Sequence, residues 1–196
     1  MLGPTHTVDV SHRVKTGGFG WTVKYTLSVY PERISIRLGI KLVSAGVTAK
    51  ELRARRAVWE KEVEALWTGK FEAAFGDRRV PIEVDLDFHA THPQHIVLVR
   101  PGRGHADKLN WNIEDPAWVI AHEVGHMLGA YDEYAFGAQH PTSPVADASS
   151  VMSNGVTPKG AKPVTPRTHA RHLKDVALWL HKSTGEVVEI VPVSPQ

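Results

Sequence analysis

The chain has 196 residues, 42% hydrophobic and 22% charged, and its 23 Lys+Arg against 21 Asp+Glu leave a formal charge of +2. This is the size and composition of one ordinary globular domain, too apolar for a disordered segment and without the basic excess of a nucleic-acid binder. The absence of cysteine excludes disulfides, thiolate metal sites and thiol nucleophiles, and no apolar run approaches the ~20 residues of a membrane span.

The first third reads as β-structure. Residues 7–15 and 21–30 are rich in Val, Thr, Tyr and Trp and are separated by Gly17, Gly18 and Gly20, which suits a hairpin. Ile34, Ile36, Leu38, Ile40 and Leu42 then alternate with Arg33, Ser35, Arg37, Gly39 and Lys41, the pattern of a strand with one buried face. A helix follows, opened by the capping box Thr48-x-x-Glu51 and closed at Gly69. Leu52, Trp59, Val63 and Leu66 form its apolar stripe, and Arg53, Arg55 and Arg56 read as its solvated face.

Val80–Phe88 and His95–Arg100 are two further strands, with Asn110-Trp111-Asn112 ending the loop after them. His89, His92 and His95 are spaced by three at the connection between these strands. They read as polar loop residues in preference to a metal site. A second helix is expected from Asp115 to Ala130, with Asp115 as cap and Pro116 in the first turn. Residues 131–168 carry five prolines and no periodicity, and so long an irregular stretch in a compact domain is usually functional. A last helix is expected from Thr165 and Pro166 to Gly185, with Leu173, Val176, Ala177 and Leu180 inward, before an apolar tail that suits an edge strand.

The chemistry concentrates in His122-Glu123-Val124-Gly125-His126. Histidines at i and i+4 share one helix face, so both rings can reach one ion at the ~2.0–2.1 Å expected of zinc. Glu123, turned about 100° from His122, can address a water at that ion without ligating it. Gly129 is placed to break the helix in a left-handed conformation and return the chain, so that Asp132 becomes the third ligand. Glu133 and His140 are the other candidates for that position. Twenty residues on comes Ser150-Val151-Met152-Ser153-Asn154-Gly155.

HEVGHMLGAYD followed by SVMSNG resembles the metzincin clan of zinc metallopeptidases, with its extended zinc motif and its methionine turn. The third ligand of that clan is most often His, with Asp in a minority of families. The continuation Asp132-Glu133-Tyr134 is similar to a bacterial group of small metallopeptidase domains, many of them toxin or effector cargo. The likeness spans residues 45–180 and is strong only at the motif. It implies one catalytic Zn2+ on His122, His126 and Asp132, Glu123 as general base, and Met152 as an apolar floor. It also implies a second donor for the developing oxyanion, for which His169, Arg171, His172, Tyr131 and Tyr134 are the candidates. Asn110 and Trp111 are candidates for a substrate edge.

The expected fold is α+β and metzincin-like. A twisted mixed sheet would be backed by the first helix, with an active-site helix and an irregular C-terminal lobe closed by the last one. One domain is expected over 1–196, divided into a β-rich extension (1–45), a portion with sheet and zinc helix (46–130) and a C-terminal lobe (131–196). The expected function is a zinc metalloendopeptidase acting on a peptide or protein substrate. The alternatives are a zinc hydrolase of cell-wall peptides or amides, and a catalytically silent zinc module of a larger assembly. The likeness further implies a monomer that meets a secretion apparatus or a cognate inhibitor. The opening MLGPTHTVDV reads as lacking a secretory leader, which suits a cytoplasmic protein or one exported by a specialised system.

Overall fold

The computed structural model describes residues 3–155 and 165–194, so residues 156–164 of the expected irregular stretch lie outside it. In chain order the elements are β1 (His6–Thr16), β2 (Phe19–Val29), β3 (Ile34–Ser44), α1 (Ala49–Trp67), β4 (Phe71–Phe75) and β5 (Arg78–Asp87). There follow β6 (His95–Arg100), β7 (Asn110–Asn112), α2 (Ala117–Met127), a 3-10 turn (Ala170–Leu173), α3 (Lys174–Thr184) and β8 (Glu189–Pro192).

The fold is α+β, with a curled mixed sheet in the order β1-β2-β3-β5-β4-β8. The β1–β2 hairpin runs in unbroken register from His6↔Val29 to Thr16↔Phe19. β3 shares its length among three neighbours. Its first residues pair antiparallel with β2, Ile34–Gly39 pair parallel with β5, and Ile40–Ser44 pair parallel with β6, which carries β7. The residues expected as an N-terminal extension thus supply three strands of the sheet itself.

Alternation made these strands, and it puts Ile34, Ile36, Leu38 and Ile40 in the core with no exposed surface. α1 packs on β5 and on α2. Its capping box is formed, with Glu51 N donating to Thr48 Oγ1 at 3.2 Å and Thr48 N to Glu51 Oε2 at 2.9 Å. Thr68 is its C-cap, and Gly69 follows at φ 69°, the left-handed position glycine takes most cheaply. Trp59 and Val63 are buried as the stripe requires, Leu52 and Leu66 are half-buried, and Trp67 joins the core. Arg55 is not solvated: it donates to Asp115 O and lies over the Trp59 ring.

The helix ends differ from expectation for local reasons. α2 begins at Ala117, with Pro116 as its N-cap residue. Asp115 does not cap it, because its carboxylate accepts from Asn112 N at 2.8 Å and Asn112 Nδ2 at 3.0 Å. The last helix begins at Ala170, four residues after Pro166, as a 3-10 turn running into α3. The backbone at Arg167 is committed elsewhere: Arg167 N donates to Ser149 O and Val151 N to Arg167 O. β4 and β7 add to the expected strands, and β8 pairs antiparallel with β4 as an edge strand.

Candidate metal centre

α2 sinks its apolar side into the core, with Ile120, Ala121, Val124 and Met127 fully buried. That burial turns His122 and His126 to the opposite side, one turn apart, with ring centroids 4.9 Å from each other. Gly129, at φ 92°, ends the run as expected, and Ala130 N donates back to Gly125 O at 2.9 Å. Asp132 returns beneath the two rings, its Oδ1 3.1 Å from His122 Nε2 and 3.3 Å from His126 Nε2. These three are the one group among the described residues able to hold a metal ion, with ligand atoms within 4.8 Å of one another.

The partners of each ligand fix its lone pairs. His122 Nδ1 faces Val151 O at 3.0 Å and His126 Nδ1 faces Ala130 O at 3.0 Å. A carbonyl only accepts, so Nδ1 carries a proton and, in the neutral ring, each Nε2 presents a lone pair to the shared centre. Asp132 Oδ2 accepts from Ala138 N at 2.6 Å, while its Oδ1 is buried without a hydrogen bond. A proton shared with Asp132 Oδ1, which pushes the His122 pKa up against the effect of burial, or a divalent cation in its place can satisfy the three facing atoms. Two imidazoles and one carboxylate are a donor set that takes divalent first-row metals.

Glu123 is buried beside the triad, and its Oε2 also lacks a partner. Burial pushes its carboxyl above the usual range, against the pull of His122 and His126. Met152 is fully buried under α2 in the turn formed by Ser153 N donating to Ser150 O. Its sulfur occupies the space a side chain on Gly125 would need. The same turn supplies Val151 O to His122, so the methionine turn and the ligand it orients are one unit.

The other candidates separate. Glu133 turns away from the triad: Arg171 Nε and Nη2 donate to its two oxygens at 2.6 and 2.8 Å, and His172 Nε2 is 3.2 Å from Oε1. These partners hold Glu133 ionised well below its usual range despite burial, which opposes them. Arg171 also donates to Asp147 at 2.7 Å, and His169 Nε2 stands 3.4 Å from the same Asp147 oxygen. Arg171, His172 and His169 thus brace the loop that carries the third ligand from behind. His140 Nδ1 accepts from Ser143 N at 3.2 Å, outside the triad. Trp111 is fully buried between Trp59 and Phe88, a core residue and not a substrate edge. Asn110 donates to Asp107 at 2.9 Å.

His122, Glu123, His126 and Asp132 open on a cavity of about 620 Å³, walled by Phe19–Thr22, His105–Leu109, Tyr134 and Phe136–Ala138. Tyr134 stands with its ring 6.4 Å from that of His122. Burial, the Asp132 charge and a hydrogen bond to Asp132 push its phenol up to about 12, so it stays a proton donor. Tyr131 packs on Trp21 and His140 instead. Trp21, which no motif marked, donates Nε1–H to His126 O at 2.7 Å and sets its ring edge-on to the His126 ring. His89, His92 and His95 do not converge, since buried His95 reaches Lys24 O at 2.8 Å. Comparison with protein-family models, with curated proteins and with solved structures finds no match for this chain.

Proposed function

We propose that this chain is a zinc-dependent endopeptidase of the metzincin type. The observation that carries the reading is Glu123: a buried carboxylate, its Oε2 without a hydrogen-bond partner, set beside two imidazoles and a carboxylate that share one centre. A structural metal site has no use for such a group, which costs stability when left unpartnered. Zinc held by His122, His126 and Asp132 would supply Lewis acidity, bringing the pKa of a water from ~15.7 toward ~7 and polarising a substrate carbonyl.

The chain's own residues supply the rest. Glu123 Oε2 takes the proton of the water that attacks the peptide carbonyl and hands it to the leaving amine. Its raised proton affinity suits both halves of that transfer. Tyr134 lines the same cavity as a neutral phenol and donates to the carbonyl oxygen as charge builds there. Met152 and Val151 keep His122 at its angle and water away from its far side.

The test is cleavage of an unfolded, generic protein by the zinc-loaded chain beside Glu123→Gln at equal zinc content. Loss of a positioned acid–base group is expected to lower the rate by about 10²–10⁴-fold. Equal rates for the two proteins, or no cleavage by either with one zinc bound, would reject the reading.

A further inference from the structure

The outer edge of a sheet offers unpaired N–H and C=O groups as a template for another strand, and proteins keep such edges short or guarded. The main path of this sheet ends on β8, of four residues, and on β1, of eleven. The hairpin settles which groups of β1 face outward. Gly17 and Gly18, at φ 54° and 123°, form a two-residue turn, so Thr16 and Phe19 exchange hydrogen bonds, and so does every second residue back along β1. The far side of β2 agrees with this parity. Thr22 and Lys24, which face Arg13 and Ser11, turn their carbonyls away from β1 to Lys108 Nζ and His95 Nε2. Thr7, Asp9, Ser11, Arg13 and Lys15 therefore direct their N–H and C=O groups out of the sheet, where no backbone partner meets them among the described residues.

The side chains of these five residues are exposed, and their order is symmetric about Ser11. An acid stands two places before it and a base two places after. Asp9 accepts from Thr26 Oγ1 at 2.7 Å, which leaves its other oxygen open. Among the described residues neither Asp9, Arg13 nor Lys15 has an ion-pair partner. The strand carries no proline and its register with β2 is unbroken, so no bulge twists the edge out of reach.

We infer that β1 pairs antiparallel with β1 of a second copy of this chain, about a twofold axis through Ser11, in place of the monomer that the likeness implies. In that register Ser11 faces the partner's Ser11, Asp9 the partner's Arg13, and Thr7 the partner's Lys15. Every outward residue then sits in a hydrogen-bonded pair, so the five facing pairs give ten backbone hydrogen bonds, two for each pair. The two Asp9–Arg13 contacts close a charge pattern that is open within one chain. Val8 faces the partner's Val14 on the other side of the sheet. A shift by two residues leaves four facing pairs and separates Asp9 from Arg13. The occupant is a second copy because a twofold interface must complement itself, and β1 does so in the register that uses all its free groups.

The experiment is sedimentation of the full chain from about 1 to 200 µM, the range in which a small interface dissociates. A species of twice 21.6 kDa should form as concentration rises. Asp9→Lys and Arg13→Glu should each raise its Kd about tenfold by setting like charges opposite one another. The double variant restores the pairs with their signs exchanged and should return Kd to within about threefold of the wild type. Ser11→Pro removes an N–H that β2 does not use, so the hairpin should keep its circular dichroism while the dimer is lost. The chain has no cysteine, which makes Ser11→Cys a clean reporter. Facing Cα atoms about 5.5 Å apart are within disulfide reach, so mild oxidation should cross-link this variant. Thr7→Cys, whose two copies would stand about 27 Å apart, should not cross-link. A single 21.6 kDa species over the whole range overturns the pairing. So does a dimer that Ser11→Pro leaves intact, or one that cross-links as readily through Thr7→Cys as through Ser11→Cys.

Discussion

Gly125 lies inside α2, where glycine costs about 1 kcal/mol relative to alanine by helix propensity. Its reason is spatial. A Cβ there would overlap the Met152 sulfur, and the indole of Trp67 lies 3.5 Å from the same point. Gly125→Ala should therefore destabilise the protein by about 1–3 kcal/mol despite its better propensity, the cost of overpacking a full core. The turn at 150–153 would be pushed down with Met152, and Val151 O would leave His122 Nδ1, so zinc affinity should fall as well. Urea unfolding and a zinc competition titration measure the two effects; unchanged or higher stability would refute the packing argument. At this scale the sequence was informative where chemistry is local. Spacing alone put His122 and His126 on one face, and Gly129 announced the return of Asp132. It was silent on Trp21, because no spacing rule links a hairpin residue to a helix a hundred positions away. It also left Glu133 open as a ligand, since only the position of Arg171 in space removes it.

The strands were legible wherever one face is buried and the other wet, as in β5 and the first half of β3, whose burial alternates as their sequences do. β4 (Phe-Glu-Ala-Ala-Phe) alternates too, but it is five residues with alanine in its middle, and β7 has three residues. Such strands exist through their partners and not through propensity. The join of β6 to the hairpin depends in part on His95, which begins β6 and donates Nε2–H to Lys24 O of β2. Burial lowers its pKa to about 4, below the ~6.5 of an unfolded chain. Protons therefore bind the unfolded state first. The stability this neutral histidine contributes is complete above pH ~6.5 and declines as pH falls toward 4, by up to about 1.4 kcal/mol per unit. His95→Gln keeps an N–H for Lys24 O and removes the titration. Between pH 7 and 5 the wild type should lose about 2 kcal/mol more than this variant in urea unfolding. Parallel pH profiles for the two would mean that His95 is not buried as a neutral group.

Across the whole molecule, the centre lies where distant parts of the chain close on one another. Trp21 bonds His126 O from 105 residues away, Thr16 Oγ1 donates to Gln139 O across 123, and Tyr25 donates to Asp175 of α3 across 150. Asp175 also pairs with His12 of β1 at 3.0 Å and packs against Gly129. The ligands themselves span only eleven residues, 122–132, so an unfolded chain still offers two histidines four residues apart and can bind zinc weakly. What the fold adds is Asp132 at 3.1–3.3 Å and the two oriented Nδ1–H groups. Zinc should therefore bind the native state better and stabilise it by mass action, by about 2.7 kcal/mol at a hundredfold excess over Kd. For a chain of this length that corresponds to a rise in Tm of about 5–10 °C, reversed by a chelator and absent in His126→Ala and Asp132→Asn. If zinc binds one-to-one yet leaves Tm unmoved, the unfolded chain holds it as well as the folded one. The distant contacts that frame Asp132 would then have been built for something other than the ion.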